Sequence, residues 1–489
     1  MLKHALQNSA SVVIFLCAFA TISAWAQTLR TVANFDGTNG ATPWNMSLVQ
    51  GTDGAIYGTS LSGGYGCGTA GCGTTFKITP SGELVTIHSF CSEANCTDGF
   101  GPQAGLVLDN YGNFYGTTTG GGANQYGTVF KITPAGQLTT LHSFLPSDGD
   151  ISNAALVQGA DGYFYGTAFS GGANGYGTVF RVTPNGAFKT IYNFCIEVNC
   201  ADGAYPRSVL IESTDGRLYG TTTYGGAYAS YGTIFRITPD GVLTTLHSFN
   251  YSDGFNPVGG LVQSFGGNLY GTTEYGGTGC LGGYCGTVFR ITPGGTLSTL
   301  HNFNVTDGSE PFSGMVRGND GNFYGTTSYG GAFACNSPYG SSCGTVFEIT
   351  PSGVLTSLHT FDMLDGYFPS GGLLQATDGT FYGVTYGGGL SKNCPQTDGC
   401  GTVFSLSTGL GPFVAFVRGS GKAGQTGGIL GQGFTGTTNV SFNGVSANFT
   451  VVSDTFIRAT VPAGAGSGYV KVATLSGILT SNVPFLVIP

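Results

Sequence analysis

The groups of this 489-residue chain that could do chemistry are repeated too regularly for most chemistry. His88, His142, His247, His301 and His359 occupy one place in a recurring TLHSF-like segment, where Tyr192 and Ala33 stand in the other copies. Residues repeated in this way are expected to pack or hydrogen-bond between units, and no Ser-His-Asp order stands out from such a background. Seven Asp-Gly pairs begin at Asp36, Asp98, Asp148, Asp202, Asp253, Asp307 and Asp365. Asp before Gly closes an Asx-type turn. Calcium coordination is the functional alternative, although the loops lack the dense Asp/Asn alternation of a calcium site. Glycoside hydrolysis would need two carboxyls about 5–10 Å apart. Glu274, Glu310 and Asp150 are the acids in suitable loops, and the sequence prefers no pair. No catalytic residue, metal or cofactor is assigned.

Tyrosines beside Gly-Gly loops carry the best functional signal. Tyr224, Tyr275, Tyr329 and Tyr386 directly precede Gly-Gly, and Tyr65 follows it. Packing between units is the plainer reading. The functional one is an accessible platform for a sugar face or a peptide.

Cysteines form a second pattern. Cys17 falls in the apolar leader, and the other twelve make close pairs: Cys67 with Cys72, Cys91 with Cys96, Cys195 with Cys200, Cys280 with Cys285, Cys335 with Cys343 and Cys394 with Cys400. Such pairs in an exported chain are expected to be local disulfides. Convergence of two pairs into a Cys₄ zinc site is the rival.

What must position these residues is a repeat. The unit reads roughly DGxxP…LVQGxDGxxYGTT…GG…GTVFKITPxGxLTTLHSF, with its Tyr-Gly anchor at Tyr57, Tyr115, Tyr165, Tyr219, Tyr270, Tyr324 and Tyr382. Gly-containing turns between β-branched and aromatic runs divide it into four short strands, the pattern of a propeller blade. LVQ is expected innermost and LTTLHSF outermost. The seventh unit stops at GTVFSLS, 401–407, whereas TLRTVANF at 28–35 is a spare outer strand in front of the first. The expected fold is all-β: a seven-bladed β-propeller over 27–408, closed by its N-terminal strand. GPFVAFV at 411–417 is the competitor for that place. The Gly-Gly and interblade loops should share one face, and the DG and ProxGly turns the other.

Composition agrees. Charged residues are 8% of the chain, against about 25% in an ordinary soluble domain, while 87 glycines and 13% aromatics disfavour long helices. The formal charge is −9 with no basic run, which excludes nucleic acid as a natural partner. Residues 1–26 have the form of a secretory signal peptide ending Ala24-Trp25-Ala26. No other segment could span a bilayer.

The motifs LVQGTDGAIYGTS and GNFYGTTTGGGANQYGTVFKITPAGQLTTLHSF, with their copies over about 28–408, resemble the GloVer tandem-repeat family of exported bacterial proteins. Beyond SLSTGLGP the composition changes to alternating strands without cysteine. ILGQGF, VSFNG, SDTFIRATVP and GYVKVATLSG resemble the IPT/TIG family, which implies a small immunoglobulin-like β-sandwich at 412–489. The expected function is that of a secreted or surface-exposed, monomeric, non-catalytic binding or adhesion protein. Its partner would be a polysaccharide or a surface protein. An extracellular glycan hydrolase or lyase and a structural envelope or matrix component are the alternatives.

Overall fold

The computed structural model describes residues 27–488, apart from 69–70, 229, 281, 333–334, 336–341, 391–393 and 395–398. The leader expected at 1–26 lies outside the described residues. Each copy of the repeat folds as a four-stranded antiparallel sheet, to which Ala204–Pro206 adds a fifth strand in the fourth copy. In the second copy Val107–Leu108, Phe114–Thr118, Thr128–Ile132 and Leu138–Ser143 pair in that order. The middle strands are almost wholly buried, and the innermost and outermost ones are only partly covered.

The recurrent residues have steric reasons. Gly116 of YGTT lies under the ring of Phe130 from the neighbouring strand, where a Cβ would come within 2.6 Å of that ring. Tyr115 stacks on Phe164 of the following sheet at 4.0 Å. The same step recurs for Tyr57 on Phe114 and Tyr324 on Phe381, both at 4.2 Å. Tyrosine and phenylalanine at these repeated strand positions therefore glue successive sheets into a propeller-like array. The tyrosine hydroxyls turn to the DG corner: Tyr57 donates to Asp53 at 2.8 Å and Tyr219 to Asp215 at 2.8 Å.

The N-terminal strand answers the missing end of the last copy. Thr28–Asn34 pairs antiparallel with Thr402–Ser407, whose other neighbours are Phe381–Thr385 and then Leu374–Gln375. One buried cluster then joins Phe35, Phe76 and Ile78 of the first sheet to Val384 and Val403 of the last. The competing segment goes elsewhere, since Ala415–Phe416 pairs with Thr426–Leu430.

Residues beyond 412 form two further four-stranded sheets around a core that includes Val414, Phe434, Val440, Ile457, Val472 and Phe485. This unit packs on the DG-turn side of the array. Thr455 Oγ1 donates to the Thr52 carbonyl at 2.8 Å, and the Gly428 N–H to Asn110 Oδ1 at 2.9 Å. Leu430 and Phe456 share a buried cluster with Ala55 and Leu108. The Gly-Gly and interblade loops emerge on the other side.

All six cysteine pairs are disulfide-bonded. Cys67 joins Cys72, Cys280 joins Cys285, Cys335 joins Cys343 and Cys394 joins Cys400, each within a Gly-Gly loop. Cys91 joins Cys96 and Cys195 joins Cys200 in the two lengthened interblade loops. The backbone ties these loops down as well. The Cys200 carbonyl accepts the Gly203 and Gly226 N–H groups, both at 2.9 Å, and the buried Cys400 offers its carbonyl to the Thr42 N–H at 2.9 Å. The sulfurs of Cys67, Cys72, Cys91 and Cys96 also lie within 4.8 Å of one another, so one loop bridge abuts one interblade bridge. No helix among the described residues is long and apolar enough to cross a membrane.

Candidate functional site

The histidines and the Asp-Gly pairs turn out to be one device. His142 Nε2 meets Asp148 Oδ2 at 3.0 Å, and the other carboxylate oxygen accepts the Leu145 N–H at 2.8 Å. His88 with Asp98, His247 with Asp253, His301 with Asp307 and His359 with Asp365 repeat the pairing, and the Tyr192 hydroxyl replaces histidine on Asp202. Burial pushes the Asp98 carboxyl up, but bonds from His88, Ser92 and Glu93 outweigh it and hold the pKa below the ordinary value. Burial likewise lowers His142, against the pull of Asp148. These carboxylates are occupied in fixing interblade loops. Asp150, one of the acids noted in the sequence, is raised by burial, against bonds from the Ile151 N–H and, at 3.5 Å, the Ser170 hydroxyl.

Chemistry gathers instead where the interblade loops turn inward. The residue that opens each inward turn is Thr42, Gly101, Ile151, Tyr205, Asn256, Glu310 or Phe368, and every one has left-handed φ, between 47° and 64°. Backbone pairing enforces this. The Glu310 N–H donates to the Cys285 carbonyl of the preceding sheet, and the Ser328 N–H of its own sheet donates to the Glu310 carbonyl at 3.0 Å. The same two bonds hold Asn256, through Tyr231 and Glu274, and Phe368, through Cys343 and Tyr386. One backbone frame thus presents very different side chains.

Those of the later copies form a bowl with an aromatic and a polar side. Trp44 lies in the first inward turn, which is one residue longer than its equivalents: Pro43 precedes Leu48 by five positions, whereas Pro102 precedes Leu106 by four. Its ring stacks on Phe368 at 5.3 Å and meets the edges of Phe312 at 5.2 Å and Tyr386 at 5.1 Å. Tyr329 joins through Phe368 at 5.0 Å. On the polar side Asn256 Nδ2 donates to Glu274 at 2.5 Å. The Arg207 guanidinium lies 4.8 Å from the Phe312 ring. Burial raises the pKa of Glu274, offset by Tyr275, Arg207 and Asn256. Burial and the charge of Glu274 together push Glu310 up to about 7.

Below the bowl the innermost segments leave a cavity of only about 50 Å³, lined by Asn45, Gly105, Asn153, Arg207, Gly314 and Gly372 among others. Asn45 Nδ2 crosses it to the Asn153 carbonyl at 3.1 Å. A ligand would rest on the mouth and not thread the centre. The mouth is also where polar groups lack partners. Of ten buried side-chain polar atoms without one among the described residues, six belong to Asn153, Arg207, Thr223, Asn256, Ser328 and Ser370, all in or beside the inward turns.

The five tyrosines singled out in the sequence are divided by the structure. Tyr329 and Tyr386 flank Phe368, and burial with the neighbouring Glu274 raises the pKa of Tyr275 far above its usual value. Tyr224 meets Tyr205 edge-on at 5.8 Å. Tyr65 stands 75% exposed in its own loop. Sequence reasoning missed Trp44, Arg207, Asn256, Phe312 and Phe368. Aligning the DGxxP loops on their prolines would have exposed the variable positions on either side of each Pro, including the tryptophan after Pro43.

Several solved structures resemble the chain. A gluconolactonase from Xanthomonas campestris has TM-score 0.38 and 14% identity, covering 62% of this chain and 86% of its own. A putative 6-phosphogluconolactonase from Bacteroides fragilis has TM-score 0.43 and 16% identity, covering 67% and 87%. A protein of unknown function from Bacteroides thetaiotaomicron has TM-score 0.43 and 11% identity, covering 78% and 76%. Likenesses of this size say nothing about activity. No curated protein matches the sequence. The model of the Gloeobacter/Verrucomicrobia repeat matches residues 18–160, 147–337 and 281–433, and the chain belongs to that repeat family.

Proposed function

We propose that this is an exported, non-catalytic glycan-binding protein. It would be a seven-bladed propeller over 27–408, sealed by its first strand and followed by an IPT/TIG-like immunoglobulin-fold domain at 412–489. The polysaccharide would lie across the loop-face mouth, and the second domain would brace or dock the opposite face. The observation that carries this reading is the bowl itself. Trp44, Phe368 and Tyr386 offer ring faces suited to the apolar side of a sugar, next to buried polar atoms that lack partners. Hydroxyl-rich ligands satisfy such atoms, and leaving them unpaired costs about 1–3 kcal/mol each. The disulfides fit an extracellular setting.

The alternative of a glycan hydrolase or lyase draws on one feature. Glu310, pushed up to about 7 beside Glu274, would be a poised general acid at neutral pH. One experiment separates the readings: pull-down of the mature protein on a panel of polysaccharides, with released sugars assayed in the same tubes. Binding without product is the expected outcome. Product release would replace the reading with the enzymatic one, and neither binding nor release would favour a structural envelope role.

A further inference from the structure

Glu310 is the side chain of the mouth that the protein itself leaves unanswered. Its carboxylate meets no donor among the described residues, and its one charged influence is repulsive, from Glu274. Ser328 stands opposite. Its register equivalent one sheet back is Glu274, whose side chain meets that of Asn256, the equivalent of Glu310. In the last sheet the same two positions hold Phe368 and Tyr386, whose rings meet at 5.9 Å. Side chains at these positions meet in the neighbouring copies, and register places the Ser328 hydroxyl, 0% exposed and without a partner, beside Glu310. Of the two, Glu310 is the partly exposed one, so a group from outside reaches its carboxylate first.

The charge of that group follows from the surroundings. Arg207 offsets Glu274, and no cation offsets Glu310, so the mouth is negative whenever Glu310 is ionised. The chain as a whole carries −9, which draws in polycations from a distance. Pro311 and Phe312 follow Glu310 directly, and Phe312 touches Trp44 at 5.2 Å, so the carboxylate borders the aromatic stack.

Resting on the glycan reading above, we propose that the mouth recognises an amino sugar in its cationic form. The pyranose face would lie on the Trp44 cluster, and its ammonium would be held by Glu310, with Glu274 and Ser328 alongside. A charge-assisted bond to a partly desolvated carboxylate exceeds a neutral one about twofold in strength. Selectivity for the amine over its neutral analogue should then reach roughly tenfold or more.

Calorimetry on the full mature chain tests this with four probes: glucosamine hexamer, N-acetylglucosamine hexamer, cellohexaose and hexalysine. Glucosamine hexamer should bind at least tenfold more tightly than the other three, and Glu310→Gln should remove that preference while leaving the melting temperature within a few degrees. Should Glu310→Gln fold poorly, Ser328→Ala provides the second variant and should weaken amino-sugar binding about threefold. Equal binding of all three sugars overturns the inference but leaves the glycan reading standing. Binding of none of them overturns both, and hexalysine binding as tightly as the amino sugar overturns the sugar in favour of a basic peptide.

Discussion

Two rings of equivalent positions run round this molecule, and they behave in opposite ways. Near the DG turns the chain repeats itself: Tyr57–Asp53, Tyr165–Asp161, Tyr219–Asp215 and Tyr324–Asp320 are the same hydrogen bond to the Asp four residues upstream. At the mouth the backbone is as regular, with left-handed φ in every copy, but the side chains run from Gly101 to Phe368 and Glu310. Glycine is the natural residue for positive φ, because a Cβ there costs about 1 kcal/mol or more. Only Gly101 takes that option. The repeat thus builds a frame whose cost is shared by interblade bonds, and side-chain identity is left free to vary where the frame opens. Sameness marks support, and difference marks the mouth proposed for recognition.

The supporting ring should break hardest. Phe130→Ala empties the space under Gly116 and between successive sheets, and should cost about 3–5 kcal/mol by chemical denaturation. A cost below about 1 kcal/mol would mean that the sheets do not depend on this ring. Asp148→Ala should cost less, about 1–3 kcal/mol, because it leaves His142 and the Leu145 N–H without their acceptor. Both variants should keep whatever affinity the mouth has once folded. Loss of binding by Asp148→Ala at full stability would make the histidine–aspartate device part of the site.

The same contrast explains what the sequence disclosed. Strand order, the sheet shared between Thr28–Asn34 and Thr402–Ser407, and the disulfide pairs are all written in local, repeated signals. The strand pattern needs only turn glycines and alternating aromatics, and close cysteines such as Cys195 and Cys200 need only proximity in the chain. Histidines and Asp-Gly pairs were both legible as structural, yet their partnership was not, because it joins a strand to a loop six to ten residues away. The bowl was least legible. Trp44 and Phe368 are 324 positions apart and meet only because the ring closes. Glu274 and Glu310 stood out as acids, but nothing local could pair them. The tyrosines were found by their glycines, a signal that reports loop geometry and so selected Tyr65 along with residues at the mouth.

The variable ring should yield its largest effect in binding. Trp44→Ala should reduce polysaccharide affinity about 30-fold, near 2 kcal/mol, as loss of a central aromatic anchor does. Its ring is only half-buried, so the melting temperature should fall by a few degrees at most. A collapse comparable to Phe130→Ala would show that Trp44 supports the frame, and the distinction between the two rings would fail there.

The smallest effect is the most specific to the mouth. Burial and Glu274 hold the Glu310 carboxyl at about 7, against 4.5 ordinarily. Between those pH values the folded protein keeps a proton that the unfolded chain has released, so this group's contribution to stability falls as pH rises through the window. Glutamine has no proton to release. The melting temperature of Glu310→Gln relative to the parent should therefore increase from about pH 4.5 to about pH 7.5, by roughly 1–2 °C, because the carboxyl is partly solvated and its effect screened. Asp98, held below the ordinary value by its bonds, contributes stability that is lost only as pH falls, so Asp98→Asn should show the opposite trend in acid. A flat difference for Glu310→Gln would mean that its carboxyl is as well solvated as one at the surface. The unanswered charge at the mouth, and with it the reason for that ring to hold an acid, would then be gone.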